Sequence, residues 1–120
     1  MADDRWTDVE ARLAARRAST ITQIDELTRS LDDIIDAATA IATDDEHDPE
    51  GQTIAFERAQ LASLLKQARS RLADLEAAER RLADGTYGRC ERCDRPIPPE
   101  RLDVRPTATT CIACASERSG

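Results

Sequence analysis

Residues 90–114 read CERCDRPIPPERLDVRPTATTCIAC. Two Cys-x-x-Cys pairs, Cys90 with Cys93 and Cys111 with Cys114, are separated by seventeen residues. This is the spacing of a four-thiolate zinc site, in which each tight knuckle supplies two sulfurs to one tetrahedral ion. A redox dithiol and uncoordinated structural cysteines are the competing readings, and two matched pairs fit exchange chemistry poorly. Four sulfurs close the coordination shell, whereas a hydrolytic zinc keeps a position for water, so the role assigned to the single Zn²⁺ is structural. Gly88 ahead of the first knuckle, and Pro96, Pro98, Pro99 and Pro106 between the two, suggest an irregular, loop-rich module that the metal holds together. With few large apolar side chains in it, the metal-free module is expected to be largely unfolded.

Upstream, Asp84-Gly85 reads as a helix stop, with Gly85 suited to the left-handed cap position. Before that stop the apolar positions Leu61, Leu65, Ala68, Leu72, Leu75 and Leu82 recur in steps of three and four, with Glu79 as the charged intruder. An earlier series runs Ile24, Leu27, Leu31, Ile34, Ala38, Ile41. Carried backwards, its register meets Leu13 and Trp6 but also Thr20, Arg17 and Glu10, so the N-terminal third is expected to pack more loosely, or against something other than the partner helix. Between the series lies TDDEHDPEG, residues 43–51, where Pro49 disfavours a continuing helix and Gly51 permits a positive φ. The expected fold is mainly α: a long antiparallel coiled-coil helical hairpin over 1–84, with an acidic tip loop at 43–52, followed by a small four-Cys zinc finger at 85–120. Each helix of about 30 residues would extend roughly 45 Å at 1.5 Å per residue. His47, in that loop, is then too far from the sulfurs to be a ligand.

Composition limits the functional classes. The chain has 120 residues, 34% charged and 2% aromatic, so a large enclosed substrate pocket is not expected. Nor does any activated nucleophile, open metal site or paired acid and base stand out, and the chain is read as a non-enzyme. Net charge is -7, and an acidic surface repels phosphate backbones. Residues 85–120 carry six Arg against five Asp or Glu, a balance that four thiolates around Zn²⁺ turn slightly negative. Direct sequence-specific DNA binding is therefore not expected, and Arg89, Arg92 and Arg95 are assigned to local solvation or to offsetting thiolate charge. The start, MADDRWTDVE, has neither the basic opening nor the apolar run of a secretory signal, and no stretch approaches a membrane span. A cytoplasmic protein is expected, and that reducing setting favours metal over disulfides.

The tip holds five carboxylates in seven positions, Asp44, Asp45, Glu46, Asp48 and Glu50. They form either a partner-contacting cluster or a solvated turn, in which Asp side chains or Thr53 cap the second helix. The alternating acids, central Gly and terminal Glu of an EF-hand are missing.

Residues 85–93, GTYGRCERC, then Ile97-Pro98-Pro99-Glu100-Arg101-Leu102, Arg105-Pro106 and Thr110-Cys111-Ile112-Ala113-Cys114 closely resemble the signature of the DksA/TraR family of bacterial transcription regulators. The stretch 45–51 with Ile54-Ala55-Phe56-Glu57-Arg58-Ala59 is also similar to the family's hairpin tip and second helix. The resemblance implies a protein that binds RNA polymerase, inserts its coiled coil into the secondary channel and acts through acidic tip residues. Asp45 and Asp48 match the family's two Asp separated by two residues. Glu50 departs from the pattern by standing where Ala is found, and the N-terminal portion is shorter than the family's longer extension. A non-enzymatic zinc-finger coiled-coil adaptor for another protein is the alternative.

Overall fold

The computed structural model describes residues 6–42 and 49–119. Four helices carry the chain: α1 (Thr7–Ala42), α2 (Pro49–Asp84), α3 (Pro99–Val104) and α4 (Ile112–Ser119). No helix among the described residues is long and apolar enough to cross a membrane. The fold is mainly helical, two long packing helices with a small four-Cys cluster after them.

Helices α1 and α2 have 36 residues each. Asp8 and Glu10 in the first turn of α1, and Arg81 in the last turn of α2, suit the helix dipoles. Thr22, Thr28 and Thr39 return their hydroxyls to the carbonyls of Ala18, Ile24 and Ile35, which satisfies these polar groups without breaking the helix. Helix α2 begins at Pro49, whose fixed φ and missing N–H suit a first helical position. Gly51 therefore lies inside the first turn of α2 rather than in a turn with positive φ.

The chain divides into two compact units, one formed by 6–17 with 73–119 and one by 18–72. In the second unit Thr20 is buried, and Ile24, Leu27, Leu31, Ile34 and Ala38 are half-buried in the predicted register. They belong to the face of α1 that packs with Leu65 and Ala68 of α2, both buried, and with the half-buried Ile54, Leu61 and Leu72. Arg71 donates to Gln23 Oε1 at 2.8 Å, while Ala38 shares an apolar cleft with Ile54, Ala55, Ala59 and Ala62. As α1 advances within this unit, its neighbours on α2 recede.

The first unit holds the deepest burial. Val9, Leu13, Leu75, Ala78, Tyr87, Cys90, Ile97, Leu102, Ala108 and Cys114 form one core, with Trp6, Leu82 and Cys111 packed against it. Leu13 is 0% exposed. Of the two alternatives expected for the start of α1, looser packing does not occur and packing against something other than the partner helix does, because the module after α2 supplies apolar surface. Register shifts too: Glu10 is exposed and Val9 takes the inward position. The intruders Arg17 and Glu79 face each other, with Arg17 Nε 3.0 Å from Glu79 Oε1.

Candidate metal centre

The site is built outward from the end of α2. Thr86 N–H donates to Arg81 O at 2.9 Å and Gly85 N–H to Leu82 O at 3.3 Å, a Schellman stop. Gly85 has φ +80°, as this cap requires, with nothing within 4 Å of where a β-carbon would stand. The first knuckle follows. Ile97 N–H donates to Gly88 O at 2.7 Å, Cys90 N–H to Arg95 O at 2.8 Å and Asp94 N–H to Cys90 O at 2.9 Å. Asp94 takes φ 61°, a left-handed state that Asp tolerates better than most side chains. This tight loop turns both Cys90 and Cys93 toward one point.

The second knuckle sits at the start of α4, with Cys111 just before the helix and Cys114 in its first turn. Ala115 N–H returns to Cys111 O at 3.0 Å. Two bonds fix this knuckle against the rest: Glu91 N–H to Thr109 O at 2.9 Å and Arg101 Nε to Thr110 O at 2.9 Å. Arg101 comes from α3, whose Leu102 is buried in the core. The rest of the module is loop, as its prolines suggested, with the two short helices α3 and α4 bracketing the second approach.

All four sulfurs, of Cys90, Cys93, Cys111 and Cys114, lie within 4.8 Å of one another. A tetrahedral ion with sulfurs at about 2.3 Å requires them about 3.8 Å apart. Cys93 and Cys111 Sγ are 3.7 Å apart, close to that edge. The cluster can coordinate a metal ion, and its donors suit zinc, a borderline-soft cation that takes thiolates. Burial raises the Cys90 thiol, but hydrogen bonding from the backbone of Cys111, Cys93 and Arg92 outweighs it and brings the pKa down to about 6. The backbone of Cys114 lowers Cys111. Hydrogen bonds to the Cys111 and Cys90 sulfurs push Cys114 up to about 12, with burial adding to the rise. A cation at the centre removes this competition for protons.

Arginines near the sulfurs are engaged locally. Arg89 donates to Asp94 O at 3.2 Å and lies 3.6 Å from its carboxylate. Arg92 reaches Cys114 O at 3.5 Å and Glu117 at 4.0 Å. Arg81 donates to Arg89 O at 2.6 Å, and Arg12 of α1 to Asp103 O at 2.7 Å.

Sequence reading missed the aromatic pair beside the cluster. Trp6 meets Tyr87 edge-on, ring centres 4.8 Å apart and planes at 81°. The Tyr87 hydroxyl donates to Pro106 O at 2.8 Å, and burial raises its pKa despite Arg12 and Arg81 nearby. Gly88, at φ +84°, lets Trp6 approach to 3.0 Å of where its β-carbon would be. A signal was present, since these are the single Trp and single Tyr of the chain. Asp44, Asp45, Glu46, His47 and Asp48 lie outside the described residues, and Glu50 falls in the first turn of α2 by its backbone.

Residues 85–120 match the family model described as prokaryotic dksA/traR C4-type zinc finger. The chain is 37% identical over 73 residues, 61% of its length and 30% of the relative's, to the uncharacterized protein YteA of Bacillus subtilis. It is 44% identical over 50 residues, 42% of its length and 34% of the relative's, to the RNA polymerase-binding transcription factor DksA of Caulobacter vibrioides. The aligned chain thus spans about a third of these curated relatives. Among solved structures, transcription factor DksA2 from Pseudomonas aeruginosa superposes with a TM-score of 0.57 at 26% identity, covering 98% of this chain and 90% of that one. Residues 85–120 thus match the DksA/TraR zinc-finger family by its model, and the chain is similar to DksA proteins in sequence and in structure.

Proposed function

We propose that this chain is a non-enzymatic regulator of transcription that binds RNA polymerase in the cytoplasm. In this reading Cys90, Cys93, Cys111 and Cys114 hold one structural Zn²⁺, and α1 and α2 form an antiparallel coiled-coil hairpin. Its acidic tip, Asp44, Asp45, Glu46, Asp48 and Glu50, enters the polymerase secondary channel and meets metal or basic groups there. The observation that carries the proposal is the likeness to DksA2 over 98% of the chain, which takes in the long helices as well as the finger. The opposed neighbours of α1 and α2 within the second unit support the hairpin, and the net charge of -7 favours a protein target over bare nucleic acid.

The chemistry asked of the chain is electrostatic. Carboxylates delivered to a recess of lower dielectric than water interact more strongly with a cation there than they would in solvent. When bound, zinc supplies structural cross-linking of the two knuckles. The test is retention of polymerase from lysate, followed by transcription in vitro. The wild-type chain should retain polymerase and change initiation at saturation, and Asp45→Asn with Asp48→Asn should remove that change while preserving helix content. Failure to retain polymerase, with transcription unaffected, would sink the proposal in favour of an adaptor for another partner.

A further inference from the structure

The residues around the sulfurs join the start of α1 to the finger through one chain of contacts. Trp6 presses on Gly88, with Cζ2 and Cη2 at 3.0 and 3.1 Å from its would-be β-carbon, and stands edge-on to Tyr87. Gly88 belongs to the first knuckle, because its carbonyl accepts from Ile97. Tyr87 reaches the second, because its hydroxyl holds the Pro106 carbonyl on the path into Cys111. Pro106 is itself fully buried, and Thr110, just before Cys111, is held by Arg101. The two knuckles are thus bound together at the sulfurs and again at the Tyr87 hydroxyl, with Trp6 as the cover of the second tie.

We infer that Trp6 and Tyr87 are positioning residues for the metal: the start of α1, through this aromatic pair, sets how tightly the four sulfurs hold zinc. This rests on the reading of the cluster as a zinc site and adds to it the residues that tune it. Contacts made only when the knuckles are drawn together add their free energy to metal binding, and metal binding must in turn tighten those contacts. An edge-on aromatic pair is large enough to matter, since its interaction beyond simple burial corresponds to a factor of up to about ten in an equilibrium constant.

The experiment titrates Zn²⁺ into the full chain against a chromophoric chelator. Trp6→Ala should weaken zinc by about tenfold and Trp6→Phe, which keeps a ring, by far less. Tyr87→Phe removes only the hydroxyl and should weaken zinc by roughly fivefold through the orphaned Pro106 carbonyl. Ile21→Ala, an exposed α1 position in the other unit, should leave affinity unchanged. Trp6 is the single indole of the chain, so its quenching by acrylamide gives the reciprocal readout. Removing zinc should raise that quenching, which a Trp packed equally well with and without metal would not show. A parent chain that takes up no zinc overturns the metal reading and this inference with it. A parent that binds zinc while Tyr87→Phe and Trp6→Ala stay within about twofold overturns this inference alone. Should Trp6→Ala fail to fold, Tyr87→Phe and the quenching decide.

Discussion

Gly85 and Gly88 both take positive φ, but only at Gly88 would a β-carbon meet anything, with Trp6 at 3.0 Å. Gly85→Ala should therefore cost about 1 kcal/mol from backbone strain, whereas Gly88→Ala adds overpacking of about 1–3 kcal/mol against a ring already confined by Tyr87. Urea denaturation of the two variants should separate them, and equal losses would show that Trp6 yields freely. The Arg17–Glu79 pair offers a second contrast at this scale. Arg17 Nε is out of solvent and lacks an aligned hydrogen bond, yet both side chains are partly exposed, at 43% and 28%. Solvent screening then limits the ion pair to less than about 1 kcal/mol. Replacing both by Leu should be close to neutral, and Glu79→Leu alone should cost less than about 1 kcal/mol, because a guanidinium 43% exposed can turn to water. A double-mutant cycle in urea checks this, and a loss several times larger in the single variant would refute it.

The individual elements divide into those legible from local spacing and those that needed a distant neighbour. Leu13→Ala in the first unit should cost about 2–5 kcal/mol, while Ile21→Ala, 45% exposed, should cost well under 1 kcal/mol, both read from chemical unfolding. The sulfur knuckles and the Gly85 stop could be read directly because metal geometry and cap geometry each demand particular residues within a few positions. The inward place of Val9 could not, since steps of three and four from Trp6 to Leu13 pass through Val9 or Glu10 equally well, and the packing of the finger decides. The Trp6–Gly88 contact leaves no periodic trace at all. Gly51 misled because Pro-x-Gly suits a turn, yet Pro is equally at home in the first turn of a helix and Gly is tolerated there. The finger also carries a pH prediction. The unfolded thiols ordinarily bind protons below about 8.5, whereas the metal requires thiolates, so the unfolded state takes up more protons and finger stability rises with pH. Zinc release followed with an indicator dye should therefore climb as pH falls into the acid range, and full retention near about pH 4 would contradict the thiolate assignment.

For the molecule as a whole, charge sets the interactions it can make. With net charge -7, and with Arg81 of α2 and Arg89, Arg92 and Arg101 of the finger donating to backbone carbonyls, the chain is poorly suited to hold phosphates. Fluorescence anisotropy with duplex DNA at roughly 0.15 M salt should show no binding in the micromolar range, and sub-micromolar binding would reverse the preference for a protein target. The separation between Arg12 and Asp103, 91 positions apart and in direct contact, has a further consequence during synthesis. On the ribosome α1 emerges before the finger, so Tyr87, Ile97, Leu102 and Ala108, which share a core with Val9 and Leu13, reach them late. Until they arrive Val9 and Leu13 have only Leu75 and Ala78 of α2 from that core, so the start of α1 settles fully only once the finger has emerged.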